Sequence, residues 1–234
     1  MPFEAKARKQ GEPFVPPKPN SLVVCAGTVS ISSVKGMGAG FLAFKTLFQS
    51  DQTWGGRLQA QLDLFFKQNK VLLPFIDTNA KANGLIGCVA TVPDLKNKIG
   101  LGSLKSFEEQ YKDALRGAVN HAIKLDRPLY IQPLGIGVYG WDPIKAAALF
   151  SEVFKELDPN GLLDITVPIY SPTPKAYEAQ YDKIFMDEIN RLMKPILSKE
   201  ARSEVHPSVS RSSSSAVSSS PLPPAPFLEK STVS

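Results

Sequence analysis

Gly36-Met37-Gly38-Ala39-Gly40 and Gly135-Ile136-Gly137-Val138-Tyr139-Gly140 are the stretches whose composition suits ligand chemistry. Each runs into a helical pattern. The first continues as Phe41-Leu42-Ala43-Phe44; the second leads to Asp142 as an N-cap and Pro143 at the first helical position. Glycine has no Cβ, so its backbone amide can approach a ligand closely. A helix start adds unsatisfied N–H donors and partial positive charge, a combination that attracts phosphate. Two such turns brought together would grip a diphosphate from both sides. Neither carries the Gly-Lys-Ser/Thr ending of a Walker loop. Gly135, Gly137 and Gly140 nearly satisfy a dinucleotide fingerprint, but their strand stands late in the domain rather than in an opening βαβαβ half. The plain alternative for each turn is a structural one, glycine serving a tight bend.

Other chemistry is sparse. Cys25 and Cys88 both sit in apolar, strand-like runs and read as small buried thiols. No close cysteine pair exists, and His121 and His206 are the only histidines, so neither a metal site nor a cofactor is expected. His121 falls beside the apolar stripe of its helix and reads as a surface or boundary residue.

The net charge of +5 is spread along the chain, which favours an anionic ligand but gives no stripe for nucleic acid. No segment has the apolar length of a membrane span. Lys6, Arg8 and Lys9 are not followed by an apolar segment of the kind found in secretory signals. The expectation is a soluble, cytoplasmic protein, the nucleus remaining open, with neither a membrane nor a specific nucleic acid as partner.

The elements that must position the turns alternate along the chain. Strands are expected at Leu22–Ala26, Val71–Ile76, Leu85–Thr91, Leu129–Leu134 and Leu163–Tyr170, with Asp77–Gly84 as a turn. Helices are expected at Ala39–Phe48, Arg57–Asn69, from Ser106 to about Leu125, Pro143–Leu157 and about Ala176–Leu197. Ser106 and Glu109 have capping-box spacing. Continuous apolar strands indicate a sheet covered on both faces, hence an α/β/α domain. Residues 1–20, rich in proline, read as an extended or disordered arm, 21–200 as the domain, and 201–234 as a disordered Ser/Pro tail. The tail is either a plain flexible segment or one that is phosphorylated or binds a partner.

The run Ile131-Gln132-Pro133-Leu134-Gly135-Ile136-Gly137-Val138-Tyr139-Gly140-Trp141-Asp142-Pro143, with Ala146-Ala147 following, resembles the signature of the macrodomain family. Gly36-Met37-Gly38-Ala39-Gly40 looks like the Met-Gly-Ala-Gly loop of its terminal ADP-ribose protein glycohydrolase branch. The resemblance covers most of residues 21–157 and implies a mixed sheet with helices on both faces. It also implies a cleft for ADP-ribose or an ADP-ribosylated protein. Gly36, Met37, Gly38, Ala39 and Gly40 would line the diphosphate and distal ribose. Gly135, Ile136, Gly137, Val138, Tyr139 and Gly140 would wrap the diphosphate from the other side, with Tyr139 flanking the ribose. As an aromatic, Tyr139 reads equally as a packing residue.

The catalytic pattern of that branch is not matched. The position of its lysine falls near Val92 and that of its aspartate near Tyr139. Lys96, Lys98 and Asp142 stand nearby, with ordinary readings as a solvated loop and an N-cap. The Asn-Ala-Ala-Asn run of other macrodomains is replaced by Cys25-Ala26-Gly27-Thr28, and no adenine-holding Gly-Asp-Ile segment is visible. Retained turns without catalytic side chains imply a reader of ADP-ribose. An ADP-ribosyl hydrolase, working by positioning water, and a scaffold with a vestigial cleft are the alternatives.

Overall fold

A computed structural model describes residues 3–7, 18–28, 39–65, 67, 72–137, 139–169 and 177–203. Six strands form one sheet in the order β1-β6-β5-β2-β4-β3. They are β1 (Glu4–Ala7), β2 (Leu22–Thr28), β3 (Phe75–Ala82), β4 (Leu85–Val92), β5 (Leu129–Ile131) and β6 (Ile165–Ile169). Among these described strands only the β3–β4 pair is antiparallel. Among the described residues the helices are α1 (Ala39–Leu47), α2 (Trp54–Leu64), α3 (Phe107–Leu125), α4 (Pro143–Leu157) and α5 (Tyr177–Ser203).

The apolar runs expected to be covered on both faces are so covered. Along β2, Leu22 and Val24 enter the core beneath α3, α4 and α5, while Val23 and Cys25 enter the core beneath α1 and α2. All four are fully buried, as the two-residue period of a strand between helix layers requires. On the α1/α2 side, Phe41, Phe44, Phe48 and Trp54 interlock. The Phe44 and Trp54 rings meet edge-on at 5.5 Å, and the Phe44 and Phe48 rings lie 4.7 Å apart. On the other side, Phe150 meets Phe154 and Phe185 edge-on at 5.5 and 5.3 Å, tying α4 to α5.

Several boundaries differ from the sequence reading: α2 begins at Trp54 rather than Arg57, α5 runs to Ser203, past the expected end near Leu197 and into the segment read as a disordered tail, and three further differences concern the sheet. Asp77–Ala82 is strand rather than turn, and the reversal is confined to Asn83-Gly84, both with positive φ. This is the Asn-Gly pair favoured in two-residue hairpins. β3 is an edge strand whose exposed positions carry polar residues, so its pattern alternates where a wholly apolar run was sought. β5 stops at Ile131, short of the expected Leu134. Within the segment read as an arm, Glu4–Ala7 pairs in parallel with β6. Residues 204–234, which include most of the Ser/Pro segment, lie outside the described residues.

The starts of α3 and α4 follow the sequence closely. The Ser106 side chain accepts from the Glu109 amide at 3.2 Å, and Asp142 accepts from the Lys145 amide at 2.9 Å. Glu109 turns instead to Lys112 and Arg116, so the reciprocal half of the capping box is spent on surface ion pairs.

Candidate functional site

β2, β4 and β5 are neighbouring parallel strands, so their carboxyl ends lie at one edge of the sheet. Thr28 closes β2 beside Val92, the last residue of β4, and Val24 pairs with Ile131 at the end of β5. Beyond Ile131, the Gln132 amide donates to the Val24 carbonyl at 3.1 Å and carries the chain alongside β2. Thr28 and Val92 therefore end β2 and β4 at one rim, and the segments 93–106 and 132–142 begin on that side of the sheet. In open α/β sheets ligands collect at that rim.

The second glycine turn is folded upon itself. The Gly135 carbonyl accepts from the amides of both Tyr139 and Trp141 at 3.3 Å. Gly135, Gly137 and Gly140 have φ of 68°, 75° and 78°, a conformation costly for any residue with a Cβ. At Gly135 there is no room either: a Cβ would stand 2.8 Å from Trp141 Cδ1 and 3.0 Å from Val92 Cγ2. Two amides are thus used inside the loop. Among the described residues, those of Ile136 and Gly140 find no acceptor.

Neighbouring groups hold the turn from three sides. The Tyr111 hydroxyl on α3 donates to the Leu134 carbonyl at 2.8 Å, with the whole side chain buried. Burial pushes this phenol far above its ordinary pKa, so it remains a donor. The Trp141 indole donates to the Pro93 carbonyl at 2.9 Å, and its ring lies 4.3 Å from that of Tyr111. The Tyr139 carbonyl accepts from the amides of Leu95 and Lys96. The loop after β4 is itself braced by Asp94, whose carboxylate accepts from the backbone and side-chain amides of Asn97 at 3.0 and 2.8 Å.

Of the residues singled out from sequence, Ile136 and Gly137 are half-buried and Gly140 is exposed. Tyr139 is 7% exposed and belongs to the core beneath α3 and α4. Burial raises its phenol, with the neighbouring Cys25 and Asp94 acting in the same direction. Ala39 and Gly40 form the start of α1, a helix with no acidic residue in its first turn. Gly36, Met37, Gly38 and Val138 lie outside the described residues. Lys96 and Lys98 are exposed, and the Lys96 backbone lies against Gly140. Asp142 is engaged in capping α4. Val92 is fully buried.

The bracing by Tyr111 and Trp141 was missed in the sequence. Both carried a signal: Tyr111 lies in the apolar stripe of α3 and Trp141 closes the glycine motif, and a buried Tyr or Trp needs a partner for its polar atom.

No protein-family model matches the sequence, and no curated protein matches it. Solved structures do. A macrodomain of Oceanobacillus iheyensis, as a point mutant, superposes with a TM-score of 0.53 at 15% identity, covering 76% of this chain and 88% of that one. The same macrodomain with ADP gives 0.51 at 16% identity, covering 76% and 87%. The macrodomain of Mycobacterium tuberculosis DarG gives 0.45 at 15% identity, over 73% and 100%. The protein has the macrodomain fold.

Proposed function

We propose that this protein binds ADP-ribose, free or attached to a protein, at the rim shared by β2, β4 and β5. The observation that carries the reading is the second glycine turn. It leaves the end of β5 at this rim, is fixed by Tyr111 and Trp141, and keeps the amides of Ile136 and Gly140 for a ligand. Amides already held in place lose little freedom when an anion arrives. The start of α1 provides a second set of donors at the end of the segment leaving the adjacent strand. In this reading Gly36, Met37, Gly38, Ala39 and Gly40 face the diphosphate from the β2 side, and Ile136, Gly137, Val138 and Gly140 from the β5 side. The buried Tyr139 ring supports the turn from beneath. The ADP-bound state of the Oceanobacillus macrodomain supports a nucleoside diphosphate as the ligand class.

Recognition without turnover is the form of this activity that the side chains favour. Asp142 is occupied as a cap and Val92 is buried where the glycohydrolase branch would carry its lysine. A thermal-shift series with ADP-ribose, ADP, NAD and AMP tests the reading, because a ligand that binds only the native state raises the melting temperature. ADP-ribose and ADP are expected to stabilise the protein and AMP much less. Absence of any shift at millimolar ADP-ribose, with the protein folded, overturns it. Release of free ADP-ribose from a modified protein would instead establish hydrolysis.

A further inference from the structure

Asp77, Cys88 and His121 come from three elements and place one carboxylate oxygen, one sulfur and one imidazole nitrogen within 4.8 Å of one another. Three local features assemble them. Asp77 and Cys88 are direct cross-strand partners in the β3–β4 hairpin, so their side chains share a face of the sheet. Phe75, two residues before Asp77, lies on the same face and fits against the bare backbone of Gly117 on α3, where any Cβ would collide with it. His121 is one helical turn beyond Gly117 and is thereby brought over Asp77, its ring 5.4 Å from that of Phe75. A register break follows Asp77, and the Asn79 amide donates to Asp77 Oδ1 at 2.8 Å, which orients the carboxylate. Bulges of this kind re-aim side chains and recur beside functional groups.

Among the described residues, His121 Nε2 is a buried side-chain polar atom without a hydrogen bond. It lies 3.4 Å from Asp77 Oδ2 but is not aligned to bond with it. Buried polar atoms are rarely left so. Cys88 Sγ lies 3.7 Å from Asp77 Oδ1. A tetrahedral zinc ion, with bonds of about 2.3 Å to sulfur and about 2.0–2.1 Å to nitrogen or oxygen, separates its ligands by about 3.3–3.6 Å. The imidazole and the sulfur each stand near that spacing from one of the two Asp77 oxygens, and all three donors lie within 4.8 Å of one another. The donor types also suit zinc, which accepts thiolate, imidazole and carboxylate together.

We propose that Asp77, Cys88 and His121 form a binding site for a zinc-class divalent cation, with a fourth position open to solvent beside the partly exposed Asp77. Cys88 stands four residues before the end of β4, about 13 Å from the rim at strand spacing, so the site is separate from the diphosphate cleft. Without the ion, burial and the neighbouring Asp77 carboxylate keep the Cys88 thiol protonated. On binding, the S–H bond breaks, a metal–sulfur bond forms, and the proton leaves to solvent; no electron is transferred.

Cobalt(II) titration of the reduced full-length chain tests this. The expected result is equimolar uptake with a thiolate-to-cobalt charge-transfer absorption, abolished by added zinc and accompanied by proton release. Cys88→Ser removes the absorption and Cys25→Ser retains it. Asp77→Asn, a change at a partly exposed side chain, leaves the far-ultraviolet dichroism unchanged and weakens uptake by about tenfold or more. A folded wild-type chain without the absorption overturns the proposal. So does an absorption that survives Cys88→Ser, or unchanged affinity in Asp77→Asn.

Discussion

The carbonyl oxygen of Tyr139 accepts the amide of Leu95 at 2.9 Å, joining the glycine turn after β5 to the loop after β4. The Lys96 amide reaches the same oxygen at 3.3 Å, and a Cβ on Gly140 would stand 3.2 Å from that amide nitrogen. These two segments form one backbone-to-backbone unit, so changes in either should be felt in both.

Tyr111→Phe removes one hydroxyl and leaves the buried Leu134 carbonyl without its 2.8 Å donor. A loss of about 1–3 kcal/mol in unfolding free energy is expected, the range for a buried group left unsatisfied. Binding of ADP-ribose should weaken as well, because the turn begins at the next residue. Denaturant unfolding and calorimetry on the same variant measure both effects.

Gly137→Val places a branched side chain at a φ of 75°. The backbone cost is about 1–2 kcal/mol, which a folded domain of this size should survive. ADP-ribose binding is expected to fall far more than stability does. Equal binding by variant and wild type would exclude this turn from the ligand site.

Gly117→Ala should force α3 away from β3, since its Cβ would collide with Phe75. Overpacking of this kind costs about 1–3 kcal/mol, read as a lower midpoint in urea. Diphosphate binding should change little, because Gly117 lies on α3, away from the rim.

Acid stability gives a prediction with a defined sign. The Thr53 hydroxyl, chiefly, with the Thr53 and Lys81 amides and Arg57, holds the Asp51 carboxyl down to about 2 from an ordinary 3.8. A carboxylate more acidic in the folded state stabilises that state above the unfolded value, and the benefit disappears as the folded group takes up its proton. The contribution is therefore complete above about pH 4 and lost as the pH falls toward 2. Asp51→Asn should lower stability at neutral pH and flatten the decline over that interval, as followed by acid titration of tryptophan fluorescence.

How far the sequence could be read depended on the kind of signal. Leu22–Ala26 and Leu85–Thr91, the bulk of β2 and β4, were legible because burial on both faces makes a strand largely apolar. Ser106 and Asp142 marked the starts of α3 and α4 because a cap is a local hydrogen bond. Asp77–Ala82 was misread because an edge strand spends half its positions on polar side chains. The second glycine turn announced itself through backbone demands that few other residues meet, at Gly135, Gly137 and Gly140. The Asp77–Cys88–His121 group had no local spacing to betray it: strand pairing and the close approach at Gly117 create it, and neither is written in any short window of sequence.

Glu4 pairs with Thr166, so β1 is completed by a strand made far later in the chain. A ribosome adding about 5–20 residues per second needs roughly 8–30 s to span that interval. Through this period β1 has no partner, and the flank of β5 that β6 will cover stays open. Nascent chains stalled before β6 should accordingly be held by chaperones or cleaved, and the sheet should close only after Ile169 has left the exit tunnel.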